Sequence, residues 1–215
     1  KKTNDYKKGA TILMRSDYLN KFHTESKSIA KEKVGDLYFD FPAGSFFQNN
    51  PFILKEFTEH VKYEAECINS KYLVDAYCGA GLFALTSASN FDEVTGIEIS
   101  EESINWANKN RSINNLKNVV FHSGRIENIF SGVRYNGNET SVIIDPPRKG
   151  CSEDFLSQLF EFSPNKVVYV SCNPATQMRD LKLFINNEYR LVRIQPFDLF
   201  PQTRHLECVM TLEKI

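Results

Sequence analysis

No stretch of this sequence approaches the roughly 18 consecutive apolar residues that a membrane-spanning helix needs, which removes helical membrane proteins from consideration. No C-x-x-C pair occurs. The five cysteines, Cys67, Cys78, Cys151, Cys172 and Cys208, form an odd and scattered set. That pattern argues against a zinc ribbon or other metal site and against a disulfide framework, and an intracellular, reducing compartment is the expected setting. There is no internal repeat and no low-complexity tract. The opening "KKTNDYKKGA" is polar and basic, unlike a secretory leader, and it starts on Lys rather than Met, so a piece of a longer protein is expected.

What remains is ordinary for a globular chain. With 215 residues, 41% hydrophobic and 25% charged, there is material for one large or two small domains. The net charge of −1 hides an asymmetry: residues 1–33 hold nine Lys/Arg against four Asp/Glu, leaving 17 against 23 in the rest. A basic arm on an acidic body suits contact with a polyanion, although a solvated lysine-rich surface has the same composition.

Texture divides the chain near residue 48. Residues 1–47 carry short strand-like pieces, "ATILMR" (10–15) and the alternating "GDLYFDF" (35–41), and read as a β-rich N-terminal segment. Residues 48–215 alternate strand and helix. "NPFILKEFTEHVKYEAECI" is expected to be a helix with Phe52, Leu54, Phe57, Val61 and Ala65 near one face. Strands follow at "KYLVDA", "EVTGIEIS", "NVVFHSG", "SVIID" and "VVYVS", with helices between most of them, and "YRLVRIQPFDLF" and "HLECVMTLE" close the chain as strands. Repeated β-α units predict an α/β fold with a mostly parallel sheet and helices on both faces. Ligands of such sheets sit beyond the carboxyl ends of the strands.

The turn "DAYCGAG" places Gly79 and Gly81 between a strand and a helix, and lacks the third glycine of a dinucleotide fingerprint. Glu98 ends the next strand, where a carboxylate can accept from a ribose diol. Asp75 and Asp145 add acid to the same rim. Carboxylates repel phosphates and suit a cationic, phosphate-free nucleoside, such as S-adenosyl-L-methionine. A lone tight turn with surface acids would look similar; the ordered set of glycine turn, Glu98 and Asp145 favours a cofactor pocket.

Three further strand ends carry polar or reactive groups: "DPPR" (145–148), "SCNPAT" (171–176) and "HLECV" (205–209). Cys172 stands where a buried strand meets a helix start. Asn173 is a good N-cap and Pro174 a good first helical residue, so the helix N-terminus is expected to favour the thiolate. Glu207 lies in an apolar strand, where desolvation raises a carboxyl pKa. Taken singly, Cys172 reads equally as a buried structural thiol and Glu207 as an outward-facing strand residue.

Together, "GSFFQNNP", "DAYCGAG", "DPPR", "SCNPAT" and "FPQTRHLECV", in this order over residues 44–215, resemble the RNA uracil-C5 methyltransferase family, the tRNA (uracil-5-)-methyltransferases and their ribosomal relatives. The resemblance implies a Rossmann-like class I S-adenosyl-L-methionine-dependent methyltransferase with a seven-stranded sheet. It implies Cys172 as nucleophile and Glu207 as base, with Gln48, Tyr77, Gly79, Gly81, Glu98 and Asp145 around the cofactor and target base. The implied partner is RNA, tRNA first, with no metal and no obligate protein partner. Arg148 follows Pro146 and Pro147 where cytosine-C5 enzymes carry a cysteine, which favours uracil. Leu82 stands where bacterial members often have Asn, so that side-chain contact is not carried over. Phe46 and Phe47 suit either stacking on a base or core packing, and Arg148 and His205 either RNA contact or bracing of the site. Methylation of ribosomal uracil or of cytosine, and a catalytically silent RNA-binding module, are the other readings. Silence is disfavoured by the joint presence of Cys172 and Glu207.

Overall fold

The structure, a computed structural model, describes residues 14–16, 18–23, 25, 27–48, 50–66, 69–124, 129–130 and 132–215. A seven-stranded sheet organises the chain. Its strands are β5 (Tyr72–Ala76), β6 (Glu93–Glu98), β7 (Val119–Ser123), β8 (Thr140–Ile144), β9 (Lys166–Ser171), β10 (Tyr189–Phe197) and β11 (Glu207–Lys214). They lie in the order β10-β11-β9-β8-β5-β6-β7. β11 alone runs against its neighbours β9 and β10, and the other pairings are parallel.

Side-chain alternation explains why helices cover both faces. Leu73, Ile143, Val168, Val170 and Val209 point to one face and join residues of α1 (Pro51–Ala65), α2 (Leu82–Ser87) and α3 (Glu101–Ile113). Val74, Val142, Ile144, Val167, Tyr169, Met210 and Leu212 point to the other and meet α4 (Glu153–Phe162) and α5 (Pro174–Asn186). Strands buried on both faces read as continuous apolar runs rather than alternating ones, as "SVII" and "VVYV" do. This is the mostly parallel α/β architecture expected from the sequence.

Two short antiparallel pairs precede it, β1 (Met14–Ser16) with β2 (Lys21–His23), and β3 (Ile29–Val34) with β4 (Leu37–Pro42). Residues 10–13 of the expected first strand lie outside the described residues. β2 and β3 escaped sequence reading because charges interrupt their apolar pattern. The signal for the second hairpin was the Gly35–Asp36 pair between Val34 and Leu37, with Gly35 at φ +59°. Ala30, Val34, Phe39 and Phe41 of this hairpin pack into the same core as α1–α3.

Helix α1 corrects one expectation. Leu54, Phe57, Val61 and Ala65 are buried, but Phe52 is 84% exposed. Residues 52 and 54 stand about 200° apart around a helix, so they cannot share a face. The expected extension of this helix to residues 67–68, including Cys67, lies outside the described residues.

Candidate active site

The strand directions bring the polar strand ends to one edge. β5, β6, β8 and β9 run to that edge, ending next to Tyr77, at Glu98, and before Asp145 and Cys172. β11 starts there because it is antiparallel. Cys208 pairs with Ser171, so Glu207 and Cys172 follow each other across the two strands. A cavity of about 760 Å³ opens over this edge, and Gln48, Tyr77, Gly79, Glu98, Asp145, Cys172 and Glu207 all line it. Gly81 does not; its place is structural.

The glycine turn is held by its own backbone. The Gly81 N–H donates to the Cys78 carbonyl (2.8 Å) and the Cys78 N–H to the Ile97 carbonyl (3.0 Å). Gly81 sits at φ +89°, and a Cβ there would stand 2.8 Å from Phe121 Cζ. Gly79, at φ +52°, faces open space, with nothing within 4 Å of a Cβ position. Such a bare turn lets a ligand approach the backbone closely. Glu98 closes its side: it accepts from the Gly79 N–H (3.3 Å) and the Ser100 N–H (3.0 Å).

The neighbouring wall is one the sequence did not announce. Ile99, 60% exposed, and Trp106 line the cavity beside Glu98, offering apolar surface next to a ribose-competent carboxylate. A large apolar residue straight after the strand-end acid was the available signal for Ile99. Gln48 is 7% exposed and its Oε1 lacks a hydrogen-bond partner. A buried acceptor left unmet costs stability, and it fits a donor-bearing ligand. Phe47 is core, stacked on Phe41 at 4.1 Å, whereas Phe46 is 75% exposed at the cavity rim. Bare turn, acid, apolar wall and unmet amide together fit an adenosine-bearing cation.

The reactive side is built by α5. Asn173 caps it, its Oδ1 accepting from the Ala175 N–H (3.2 Å), and Pro174 opens it. Asn173 Nδ2 also donates to the Arg148 carbonyl (3.0 Å), and so does the Thr176 hydroxyl (3.3 Å). The "DPPR" loop is thereby fastened beside Cys172. Buried Asp180 anchors the next turn, accepting from the Cys151 N–H (3.0 Å) and the Tyr169 hydroxyl (2.8 Å). Arg148 approaches His205 Nδ1 at 3.4 Å.

Electrostatics correct the simplest view of the thiol. Burial first, then the Glu207 carboxylate, push the Cys172 thiol up from its ordinary value, while a hydrogen bond and the charge of Arg148 pull it down. The cap alone therefore does not make Cys172 a resting thiolate. Glu207, 4% exposed, is pushed up to about 7 by burial, against the pull of Arg148. Burial, then Glu207 and Asp75, hold Asp145 well above the usual carboxylate range. The remaining described cysteines, Cys78, Cys151 and Cys208, are buried. Among the described residues no group of three or more His, Cys, Asp or Glu could hold a metal ion, and no helix is long and apolar enough to cross a membrane.

Comparison with known proteins agrees with this geometry. A family model described as tRNA (Uracil-5-)-methyltransferase matches residues 6–215. A tRNA (uracil(54)-C(5))-methyltransferase of Schizosaccharomyces pombe is 45% identical over 229 residues, covering all of this chain and 44% of the relative. Its Saccharomyces cerevisiae counterpart is 40% identical over 203 residues, covering 89% of this chain and 32% of the relative. The crystal structure of Pyrococcus abyssi tRNA (uracil-54, C5)-methyltransferase in complex with S-adenosyl-L-homocysteine superposes with a TM-score of 0.75 at 31% identity, over 89% of this chain and 45% of that one. The chain thus spans less than half the length of these relatives. It belongs to the tRNA (uracil-5-)-methyltransferase family.

Proposed function

We propose that the protein methylates carbon 5 of a uridine in RNA, tRNA first, with S-adenosyl-L-methionine as methyl donor. The observation that carries this reading is the convergence of Cys172 and Glu207 on one cavity with Gly79, Glu98 and Gln48. When bound, the cofactor supplies an electrophilic methyl group. Glu98 would hold its ribose, Ile99 and Trp106 its base, and Gln48, Tyr77 and Asp145 the space towards the uracil.

Carbon 5 of uracil is a weak nucleophile. The Cys172 thiolate would form a bond to carbon 6 and move the ring electrons onto the oxygen at carbon 4, so that carbon 5 becomes enolate-like and could take the methyl group, the donor's sulfur keeping the bonding pair as a neutral thioether. Glu207 then removes the proton from carbon 5, the carbon 6–sulfur bond breaks, and the thiolate leaves with its electron pair. The pair's coupling suits both steps. Each negative charge disfavours the other, so the thiolate forms most readily while Glu207 holds a proton. Once the Cys172 sulfur is a neutral thioether that repulsion is gone, and a carboxyl near 7 can give its own proton to water and stand ionised to take the one from carbon 5. Arg148 beside Cys172 steadies the sulfur when it is charged. A uridine paired in folded RNA must be flipped out to reach Cys172.

The test is incubation with tRNA in which uracil is replaced by 5-fluorouracil, plus the methyl donor. Fluorine cannot leave as a proton, so a covalent protein–RNA adduct accumulates, and Cys172→Ala forms none. The relatives' names point to uracil 54 as the first position to map. Adduct on ribosomal RNA alone would move the substrate, and no adduct on any RNA would overturn the mechanism.

A further inference from the structure

The nucleophile follows β9 and the base opens β11, and one buried side chain grips both strands. Gln177, at the end of the first turn of α5, is 1% exposed. Its Nε2 donates to the carbonyl of Tyr169 on β9 (2.8 Å) and to that of Cys208 on β11 (3.1 Å). Both partners are acceptors only, so the orientation of the amide is fixed by its contacts. Cys208 adjoins Glu207, and Tyr169 lies three residues before Cys172.

The two strand ends are not equally secure without it. The end of β9 continues directly into α5 through the Asn173 cap. The start of β11 follows the exposed residues 201–204. Opposite Cys208 on β10 stands Pro196, which has no N–H to give to the ladder. Pairing of β11 with β9 ends at Cys208 and Ser171, and beyond it only β10 continues, with Phe197 opposite Glu207. Gln177 therefore acts where the β9 side of the ladder stops, one residue from the base.

We propose that Gln177 is a positioning residue that holds Glu207 at the working distance from carbon 5, so that it serves release of the methylated adduct rather than its formation. This rests on the uridine-methylation reading above. Gln177→Met fills the same space with no donor and leaves the ladder from Cys208 to Glu213 in place. Misplacing a catalytic group by about 1 Å costs on the order of 100-fold, so turnover on ordinary RNA is expected to fall between about 10-fold and 100-fold. Adduct formation on 5-fluorouracil RNA is expected to stay within about twofold of the unaltered protein. The methylated adduct should then accumulate on ordinary RNA, a signature that general loss of stability does not produce. Gln177→Asn, which keeps the amide but withdraws it by one methylene, should show the same split, and supplies the measurement if the Met variant does not fold. Unchanged turnover, or adduct formation and turnover falling in proportion, would overturn the role of Gln177. Failure of the unaltered protein to form any adduct would instead remove the uridine reading, and this role with it.

Discussion

Replacing Glu207 by Gln separates the two halves of the proposed chemistry, and moves them in opposite directions. The amide is nearly isosteric, so the strand start should stay in place, but it can neither take a proton nor carry charge. Loss of a positioned general base lowers the rate of its step by roughly 10²- to 10⁴-fold, or about 3–5 kcal/mol of barrier. Glu207 is also the second cause, after burial, that holds the Cys172 thiol up. With the carboxylate gone and Arg148 still in place, the thiol pKa should fall. Well below that pKa the thiolate fraction grows about tenfold for each unit lost. Adduct formation near neutral pH should therefore speed up while turnover collapses. Rapid-quench gels with 5-fluorouracil RNA measure the first, and transfer of labelled methyl to ordinary RNA the second. The pH profile adds a check on sign: Glu207 must be ionised to act, so release in the unaltered protein should rise with pH through about 7, and that limb should vanish in the variant. Adduct formation that slows along with turnover, or turnover that survives, would refute the assignment.

The other predictions concern Asp75, which is buried in β5 and does not line the cavity, and the glycine turn. Asp75 is 1% exposed and pushed up to about 8, by burial against the pull of the Ala84 N–H, with Glu98 adding to the rise. An unfolded Asp ionises near 4, so between about pH 4 and 8 the folded state alone keeps the proton, and stability falls by up to about 1.4 kcal/mol per unit as pH rises. Asp75→Asn should therefore raise the unfolding midpoint at pH about 7.5 and not at pH about 4; equal gains at both would contradict this. Gly81→Ala must combine φ +89° with a Cβ 2.8 Å from Phe121, and should cost about 2 kcal/mol or more in denaturant titrations. Gly79→Ala carries only the backbone strain, about 1 kcal/mol, but its methyl enters the cavity and should weaken cofactor binding, read by equilibrium dialysis, more than it weakens the fold.

Much of this was legible in the chain because it rests on local signals. The apolar runs 72–76, 140–144 and 166–171 name strands that neighbours cover on both faces, and Asn173-Pro174 names a helix start. The motifs named Cys172 and Glu207. What escaped is non-local. Asn110 donates to the Ala80 carbonyl in the glycine turn and accepts from the Asp40 N–H on β4, spanning 30 and 70 residues. Asp180 and Gln177 likewise serve backbone groups 29 and 31 residues away. A side chain that completes a distant backbone leaves no periodicity and no motif. Phe52 escaped for the opposite reason: it has the composition of a core residue but the wrong angle on its helix. The cap beside Cys172 is local and legible, whereas the Glu207 carboxylate that pushes its thiol up comes from β11, 35 residues later.

The strand order also fixes when the chemistry becomes available. β11 is the last strand in sequence among the described residues, yet it lies between β9 and β10, which precede it. A chain emerging from the ribosome can complete the β5–β9 sheet and set Cys172 on its helix while the slot for Glu207 is empty. In that interval the thiol has Asp145 near it but not Glu207, the residue assigned as base. The assigned base thus enters the site only when the last of these strands completes the sheet.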